Sequence, residues 1–99
     1  RKITAKEAYE KMQSGGVTVV DVRTKAEYDE GHIPGAILLP NENIGSTAPE
    51  ELPEKDAVIL VYCRSGRRSR KATEKLLTIG YRNVYDFGGI IDWPYEKVK

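Results

Sequence analysis

The stretch that decides the fold is residues 57–80, AVILVYCRSGRRSRKATEKLLTIG. It opens with a continuously apolar run over 57–62, which is typical of a parallel strand buried on both faces of a sheet. A helix is predicted over 69–79, because its apolar residues recur on one face and Gly80 follows as a stop signal. A buried strand that leads directly into a helix is the repeating unit of α/β folds.

The flanking sequence continues this alternation of strands and helices. Thr4 and Thr24 each precede a glutamate by three residues, as in a capping box, and each predicts a helix start. Short β-branched or apolar runs predict strands over 17–22, 35–40, 57–62 and 84–87. The polar segment 40–56 is expected to be a surface connection with a helical turn at 47–49. Gly88-Gly89 is expected to form a turn. The sequence therefore predicts one compact α/β domain over residues 1–99, with a central, mostly parallel sheet flanked by helices.

Composition excludes several classes of protein. The 16 basic and 15 acidic residues nearly cancel, so no overall field favours nucleic acid or a membrane surface. No apolar run is long enough for a membrane span, and no signal-peptide core is present. One cysteine and one histidine rule out an internal disulfide and argue against a structural zinc site. We expect a monomer; because the chain begins at Arg1, both a cytoplasmic location and export after loss of a leader stay open.

The lone cysteine, Cys63, lies at the carboxyl end of the most hydrophobic strand. In open α/β sheets, ligands bind beyond the carboxyl ends of the strands. The loop 64–68 contains Ser65 and Gly66 and leads into a helix, so its backbone N–H groups can point inward and add to the positive end of the helix dipole. Such a site favours an anion, and the first anion within reach is the thiolate of Cys63, the nucleophilic form of cysteine.

Cations crowd the start of the helix that follows. Arg67, Arg68, Arg70 and Lys71 occupy it, and the first acidic residue is Glu74. Helix starts ordinarily favour acidic side chains, so this departure from a local stability rule indicates a functional site. A buried cysteine that merely fills space and a solvated charge run are the alternatives. The two features together favour a reactive, anion-binding cysteine.

The motifs resemble those of the rhodanese (thiosulfate sulfurtransferase) family. Residues 61–69, VYCRSGRRS, resemble its active-site loop, and Asp21-Val-Arg23 with 27–28 and 31–36 (GHIPGA) resembles its other signature. The ending over 80–93 is similar to the family's usual one. The resemblance covers nearly the whole chain and is greatest to small, single-domain bacterial rhodaneses.

This resemblance implies a compact α/β fold and a sulfur-transfer activity. Cys63 would be the nucleophile, taking a sulfane sulfur from an anionic donor such as thiosulfate and carrying it as a persulfide to cyanide, a thiol or a protein acceptor. The residues implied to hold the substrate and the persulfide are Arg64, Ser65, Gly66, Arg67 and Arg68, with Asp21 and Arg23 in support. No metal or organic cofactor is implied. Arg23 has an alternative partner in Glu27, one helical turn away.

A cysteine-dependent phosphatase, a persulfide carrier and an interaction module are the alternative functions. Cysteine-dependent phosphatases need an arginine six positions after the cysteine, and residue 69 is a serine. A persulfide carrier without turnover, or an interaction module, is not separated from an enzyme by the sequence. His32, in a turn far along the chain from Cys63, is expected to have a structural role.

Overall fold

The computed structural model describes residues 1–99 and contains the predicted alternation of helices and strands. The elements are α1 (Ala5–Ser14), β1 (Val17–Asp21), α2 (Lys25–Glu30), β2 (Ile37–Leu38), β3 (Val58–Cys63), α3 (Arg67–Ile79) and β4 (Asn83–Gly89), with short 3-10 turns at Asn41–Asn43 and Ile90–Asp92. The strands form one sheet in the order β2-β1-β3-β4, and every pairing is parallel. The predicted α/β fold with a central parallel sheet is confirmed.

The first two helices begin at capping boxes, as their sequences predict. The Thr4 hydroxyl accepts a hydrogen bond from the Glu7 N–H at 3.0 Å, and the Glu7 carboxylate accepts one from the Thr4 N–H at 2.9 Å. Thr24 begins α2 in the same way. A cap of this kind typically contributes about 1 kcal/mol. The longest helix, α3, has 13 residues, and no helix has both the length and the apolar character needed to cross a bilayer.

Side chains of the sheet alternate between two hydrophobic layers. Along β3, the side chains of Ile59, Val61 and Cys63 belong to the layer that packs beneath α3. Leu60 and Tyr62 belong to the opposite layer, which packs against α1 and the C-terminal segment. The strand therefore delivers the Cys63 side chain to the α3 face, at the end of the sheet where α3 begins.

Three local predictions are wrong. The α3 helix begins at Arg67, two residues before the predicted start, because Gly66 serves as its N-cap. The polar connection forms its 3-10 turn at Asn41–Asn43, directly after Pro40, whereas 47–49 is not helical. Gly88-Gly89 is not a simple turn but the end of β4, which pairs with Cys63 through a register shift.

Candidate active site

The Cys63 side chain is enclosed by the loop that follows it. Cys63 is the last residue of β3, and only 1% of it is exposed. Its sulfur accepts a hydrogen bond from the Gly66 N–H at 3.0 Å. Gly66 has φ +102°, a left-handed conformation that residues with a Cβ rarely adopt. The glycine thus allows the loop to turn back over the sulfur.

The positive end of α3 begins at the same glycine. Gly66 caps the helix without any side-chain hydrogen bond, so no acceptor from a side chain satisfies the first N–H groups of α3. Among the backbone N–H groups of residues 64–68, that of Gly66 is the one bonded to the sulfur. The partial positive charge of the helix start and this N–H group together favour negative charge at Cys63.

The arginines around the loop have two different environments. Arg64 and Arg67 are exposed and form no ion pair. Arg68 is half-buried, and its guanidinium donates two hydrogen bonds to the Glu27 carboxylate at 2.7 and 2.9 Å. Arg64 and Arg67 are therefore free to meet an anion, whereas Arg68 joins α3 to α2.

A polar cavity of about 640 Å³ opens beside this loop. It is lined by Ser65, Gly66 and Arg67 of the loop region together with Lys2, Arg70, Lys71 and Glu74. Ser65 thus lies on the outer side of the loop, on an exposed and mostly cationic surface. No group of His, Cys, Asp and Glu side chains is arranged to hold a metal ion.

The pairing of Glu27 with Arg68 makes stability depend on pH. Hydrogen bonds from the Arg68 guanidinium lower the pKa of Glu27 to about 2. A carboxyl with a depressed pKa stabilises the fold above its unfolded value of about 4.3, and this stabilisation is lost as the pH falls towards 2.

We therefore expect Glu27→Gln to flatten the acid limb of the stability curve. Between about pH 4.5 and 2, its free energy of unfolding should fall less steeply than that of the wild type, as measured by urea unfolding. Glu74→Gln is the matched control, because Glu74 is 68% exposed and lies 4.0 Å from Arg70. Parallel slopes for the wild type and Glu27→Gln would contradict the expectation.

Asp21 and Arg23 form a buried cluster beside the strand that carries Cys63. The Arg23 guanidinium donates to the Asp21 carboxylate at 2.7 Å and to the Gly31 carbonyl at 2.7 Å. The Tyr62 hydroxyl donates to the same carboxylate at 2.6 Å. Burial and this hydrogen bond raise the pKa of Tyr62 far above its usual range. Asp21 and Arg23 thus hold the residue before Cys63, and neither side chain contacts the sulfur.

Arg23 and His32 have partners other than Glu27 and Cys63. The alternative pairing of Arg23 with Glu27 does not form, since each has another partner. His32 donates from Nδ1 to the Tyr28 carbonyl at 2.9 Å and stacks on the Tyr28 ring with centroids 3.7 Å apart. Its contacts tie the end of α2 to the following turn and do not include Cys63.

Sequence reasoning missed two buried polar residues, Ser69 beside the sulfur and Asp86 bonded to Ser69. The Ser69 hydroxyl lies 3.5 Å from the Cys63 sulfur and 2.7 Å from Oδ1 of Asp86. Ser69 is fully buried and Asp86 is 5% exposed. The available signal was Asp86 itself, an acidic residue within the apolar strand ending before Gly88-Gly89.

Gly89 lies against the back of the cysteine loop. A Cβ at this position would lie 2.6 Å from the Ser65 Cα and closer still to the Arg64 carbonyl oxygen. The Arg64 carbonyl also accepts a hydrogen bond from the Ile91 N–H at 3.3 Å. The end of β4 therefore supports the loop through direct backbone contact, which only glycine permits.

Comparison with known proteins agrees with this architecture. The family model described as "Rhodanese-like domain" matches residues 4–94. The thiosulfate sulfurtransferase PspE of Escherichia coli is 36% identical over 80 residues, which cover 81% of this chain and 77% of the relative.

Solved structures lead to the same group. A rhodanese with anions from E. coli is 35% identical, with a TM-score of 0.73, covering 83% of this chain and 96% of its own. A rhodanese-related protein from Thermoplasma volcanium is 33% identical, with a TM-score of 0.84, covering 99% and 97% of the two chains. The similarity thus extends over most or nearly all of the chain, depending on the relative.

Proposed function

The chain belongs to the rhodanese-like domain family, and on that premise we propose that it transfers a sulfane sulfur from an anionic donor such as thiosulfate to a thiophilic acceptor through a persulfide on Cys63. The observation that carries the proposal is the sulfur's position, at the end of β3 and hydrogen-bonded to the N–H of Gly66, the N-cap residue of α3. The 36% identity to a thiosulfate sulfurtransferase supports the choice of chemistry.

The reaction consists of two displacements at sulfur. The Cys63 thiolate attacks the outer sulfur of thiosulfate; the S–S bond of the donor breaks, and its electron pair leaves with sulfite. Cys63 is then a persulfide anion, so the total charge is conserved. Cyanide attacks the outer sulfur of the persulfide, and the electron pair of the breaking S–S bond returns to Cys63. The sulfur of Cys63 is the leaving group in this second step, which regenerates the thiolate.

Arg64 and Arg67 are proposed to hold the donor. Both are exposed, adjoin the loop and have no acidic partner. A guanidinium presents two parallel N–H groups that suit the oxygens of a sulfonate-like anion. The similar E. coli rhodanese is described with anions, which supports an anion site in this chain. Arg68 reaches a donor only by giving up its two hydrogen bonds to Glu27.

A persulfide carrier without turnover is the second candidate. The enclosure of Cys63, of which 1% is exposed, favours a sulfur that is protected between loading and delivery. The phosphatase alternative is disfavoured because Ser69 occupies the position of the required arginine and its hydroxyl is bonded to Asp86.

The experiment is incubation of the wild-type protein with thiosulfate, followed by intact mass measurement and by addition of cyanide. We expect a mass gain of one sulfur atom and then repeated formation of thiocyanate. A mass gain without turnover would support the carrier, and neither result would refute sulfur transfer. Hydrolysis of an aryl phosphate in a Cys63-dependent manner would instead establish a phosphatase.

Arg64→Ala and Arg67→Ala should each need more thiosulfate for half-maximal loading, whereas Arg82→Ala, at an exposed pair with Asp56, should not.

Gly89→Ala should disable the site through its backbone. The added methyl group cannot fit against Arg64 and Ser65, so the cysteine loop must move. Overpacking of this kind costs about 1–3 kcal/mol in stability, and a displacement of about 1 Å can reduce a rate about 100-fold. Gly45→Ala is the control, because a Cβ there meets nothing within 4 Å. Thiocyanate formation by Gly89→Ala at the wild-type rate would show that the loop does not depend on this contact.

A further inference from the structure

The Ser69 hydroxyl is surrounded by more acceptors than it has hydrogens. Its oxygen lies 2.7 Å from Oδ1 of Asp86, 3.1 Å from the Gly66 carbonyl and 3.3 Å from the Gly88 carbonyl. The Cys63 sulfur lies 3.5 Å away on another side. A serine hydroxyl carries one hydrogen and two lone pairs. The shortest of these contacts is to the Asp86 carboxylate, and a hydrogen bond to a charged acceptor is stronger than one to a carbonyl. The hydroxyl hydrogen therefore points to Asp86.

The direction of the Ser69 hydroxyl hydrogen decides whether the Cys63 sulfur faces a hydrogen-bond donor or an acceptor. With the hydrogen on the Asp86 side, the sulfur faces the lone pairs of the Ser69 oxygen. A thiol suits this arrangement because its S–H group donates to the oxygen. A thiolate or persulfide anion does not, because two electron-rich atoms then face each other unless the hydroxyl turns.

We propose that Asp86 restrains negative charge on the Cys63 sulfur by competing with it for the single hydrogen of Ser69. When the Cys63 proton leaves to solvent, its electron pair stays on sulfur. The Ser69 hydroxyl can then donate its hydrogen either to the Cys63 thiolate or to the Asp86 carboxylate, but not to both. The anion that does not receive this hydrogen has fewer hydrogen bonds in a buried site. The state in which Cys63 and Asp86 are both negatively charged is therefore unfavourable. Asp86 thereby disfavours the thiolate and persulfide anions of Cys63, against the favourable effect of the Gly66 N–H. This inference rests on the proposed function, since it concerns the sulfur that carries the persulfide.

The position of Asp86 is fixed by an irregularity of the sheet. Val61 pairs with Asp86 and Cys63 pairs with Gly89, so β4 contains one extra residue at this point. Gly88, in the extra length, has φ +94°, and its N–H donates to Oδ1 of Asp86 at 2.9 Å. The bulge therefore aims the carboxylate at Ser69 and keeps it there.

No cation neutralises Asp86 directly. Arg1, Lys2, Arg70 and Glu74 line a cavity of about 210 Å³ that Asp86 also lines. None of them forms an ion pair or hydrogen bond with the carboxylate. Its contacts are thus the Ser69 hydroxyl and the Gly88 N–H.

On the side of the sulfur, the charged groups are either paired or exposed. Arg68 is bonded to Glu27, and Arg23 is bonded to Asp21. Arg64 and Arg67 are exposed. The Ser69 hydroxyl is therefore the group that links the Asp86 carboxylate to the Cys63 sulfur.

The test is a spectroscopic titration of the thiolate by its ultraviolet absorbance. Cys63 is the only cysteine, so the Cys63→Ser protein gives the blank at each pH. Asp86→Asn keeps the size of the side chain and removes its charge. We expect its midpoint to fall by about one pH unit, which corresponds to about tenfold more thiolate at a pH well below the midpoint. Asp86→Ser provides a second neutral variant if circular dichroism shows that Asp86→Asn is unfolded.

A double variant separates the hydroxyl from simple repulsion. In a Ser69→Ala background, Asp86→Asn should shift the midpoint by less than half as much, because the contested hydrogen is gone. Asp92→Asn removes an exposed acid six positions after Asp86 and should leave the midpoint unchanged. An unchanged or higher midpoint in Asp86→Asn, or an equal shift in the Ser69→Ala background, would overturn the inference. The titration needs no sulfur transfer, so its outcome is distinct from failure of the thiosulfate experiment.

Discussion

Replacement of Cys63 by serine is expected to abolish both sulfur loading from thiosulfate and thiocyanate formation. A hydroxyl cannot form the S–S bond of a persulfide, and no second cysteine exists to replace it. The loss should therefore be complete, down to the rate of thiosulfate with cyanide in buffer. The measurements are intact mass after thiosulfate and thiocyanate formation over time.

The fold should survive this change. Serine is similar in size to cysteine, and the Gly66 N–H that now bonds to sulfur can bond to its oxygen. The circular dichroism spectrum should therefore match that of the wild type. Ser46→Ala, in an exposed loop, is the control and should keep full activity. Turnover by a folded Cys63→Ser protein would mean that Cys63 is not the sulfur carrier.

The fold was predictable because its signals are local. The six residues of β3 include an apolar run that is typical of a buried parallel strand, and each capping box lies within a single helical turn. The position of Cys63 follows from the same signals, because a cysteine that ends a central strand must lie at the carboxyl edge of the sheet. These inferences need no knowledge of which residues meet across the chain.

The features missed around the site depend on contacts between distant segments. Arg68 and Glu27 are 41 positions apart, and Ser69 and Asp86 are 17 apart. No residue close to Arg68 in the sequence indicates that its guanidinium will form an ion pair with a glutamate on α2. Gly88-Gly89 has the composition of a turn, and only the pairing of Gly89 with Cys63 makes it the end of a strand. The sequence therefore located the Cys63 sulfur but not the partners of Arg68 and Ser69.

Asp21→Ala is expected to have the largest effect on stability. It removes the carboxylate that accepts from Arg23 and Tyr62 and leaves the Arg23 guanidinium, 5% exposed, without its counter-ion. Breaking a buried ion pair on one side typically costs about 3–5 kcal/mol. Denaturant unfolding should show a loss of this size. Asp29→Ala is the matched control, because it breaks an exposed pair with Lys25 and should cost less than about 0.5 kcal/mol.

The same variant separates stability from chemistry. Asp21 acts on Tyr62, which precedes Cys63 in β3, and does not contact the sulfur. Asp21→Ala protein that remains folded should therefore still load sulfur from thiosulfate, although it unfolds at lower denaturant. Removing Arg23 as well, in Asp21→Ala/Arg23→Met, should recover part of the lost stability because no unpaired charge stays buried. If the double variant is less stable than Asp21→Ala, the cost lies in the other contacts of Arg23, chiefly the hydrogen bond to the Gly31 carbonyl, and not in the unpaired charge.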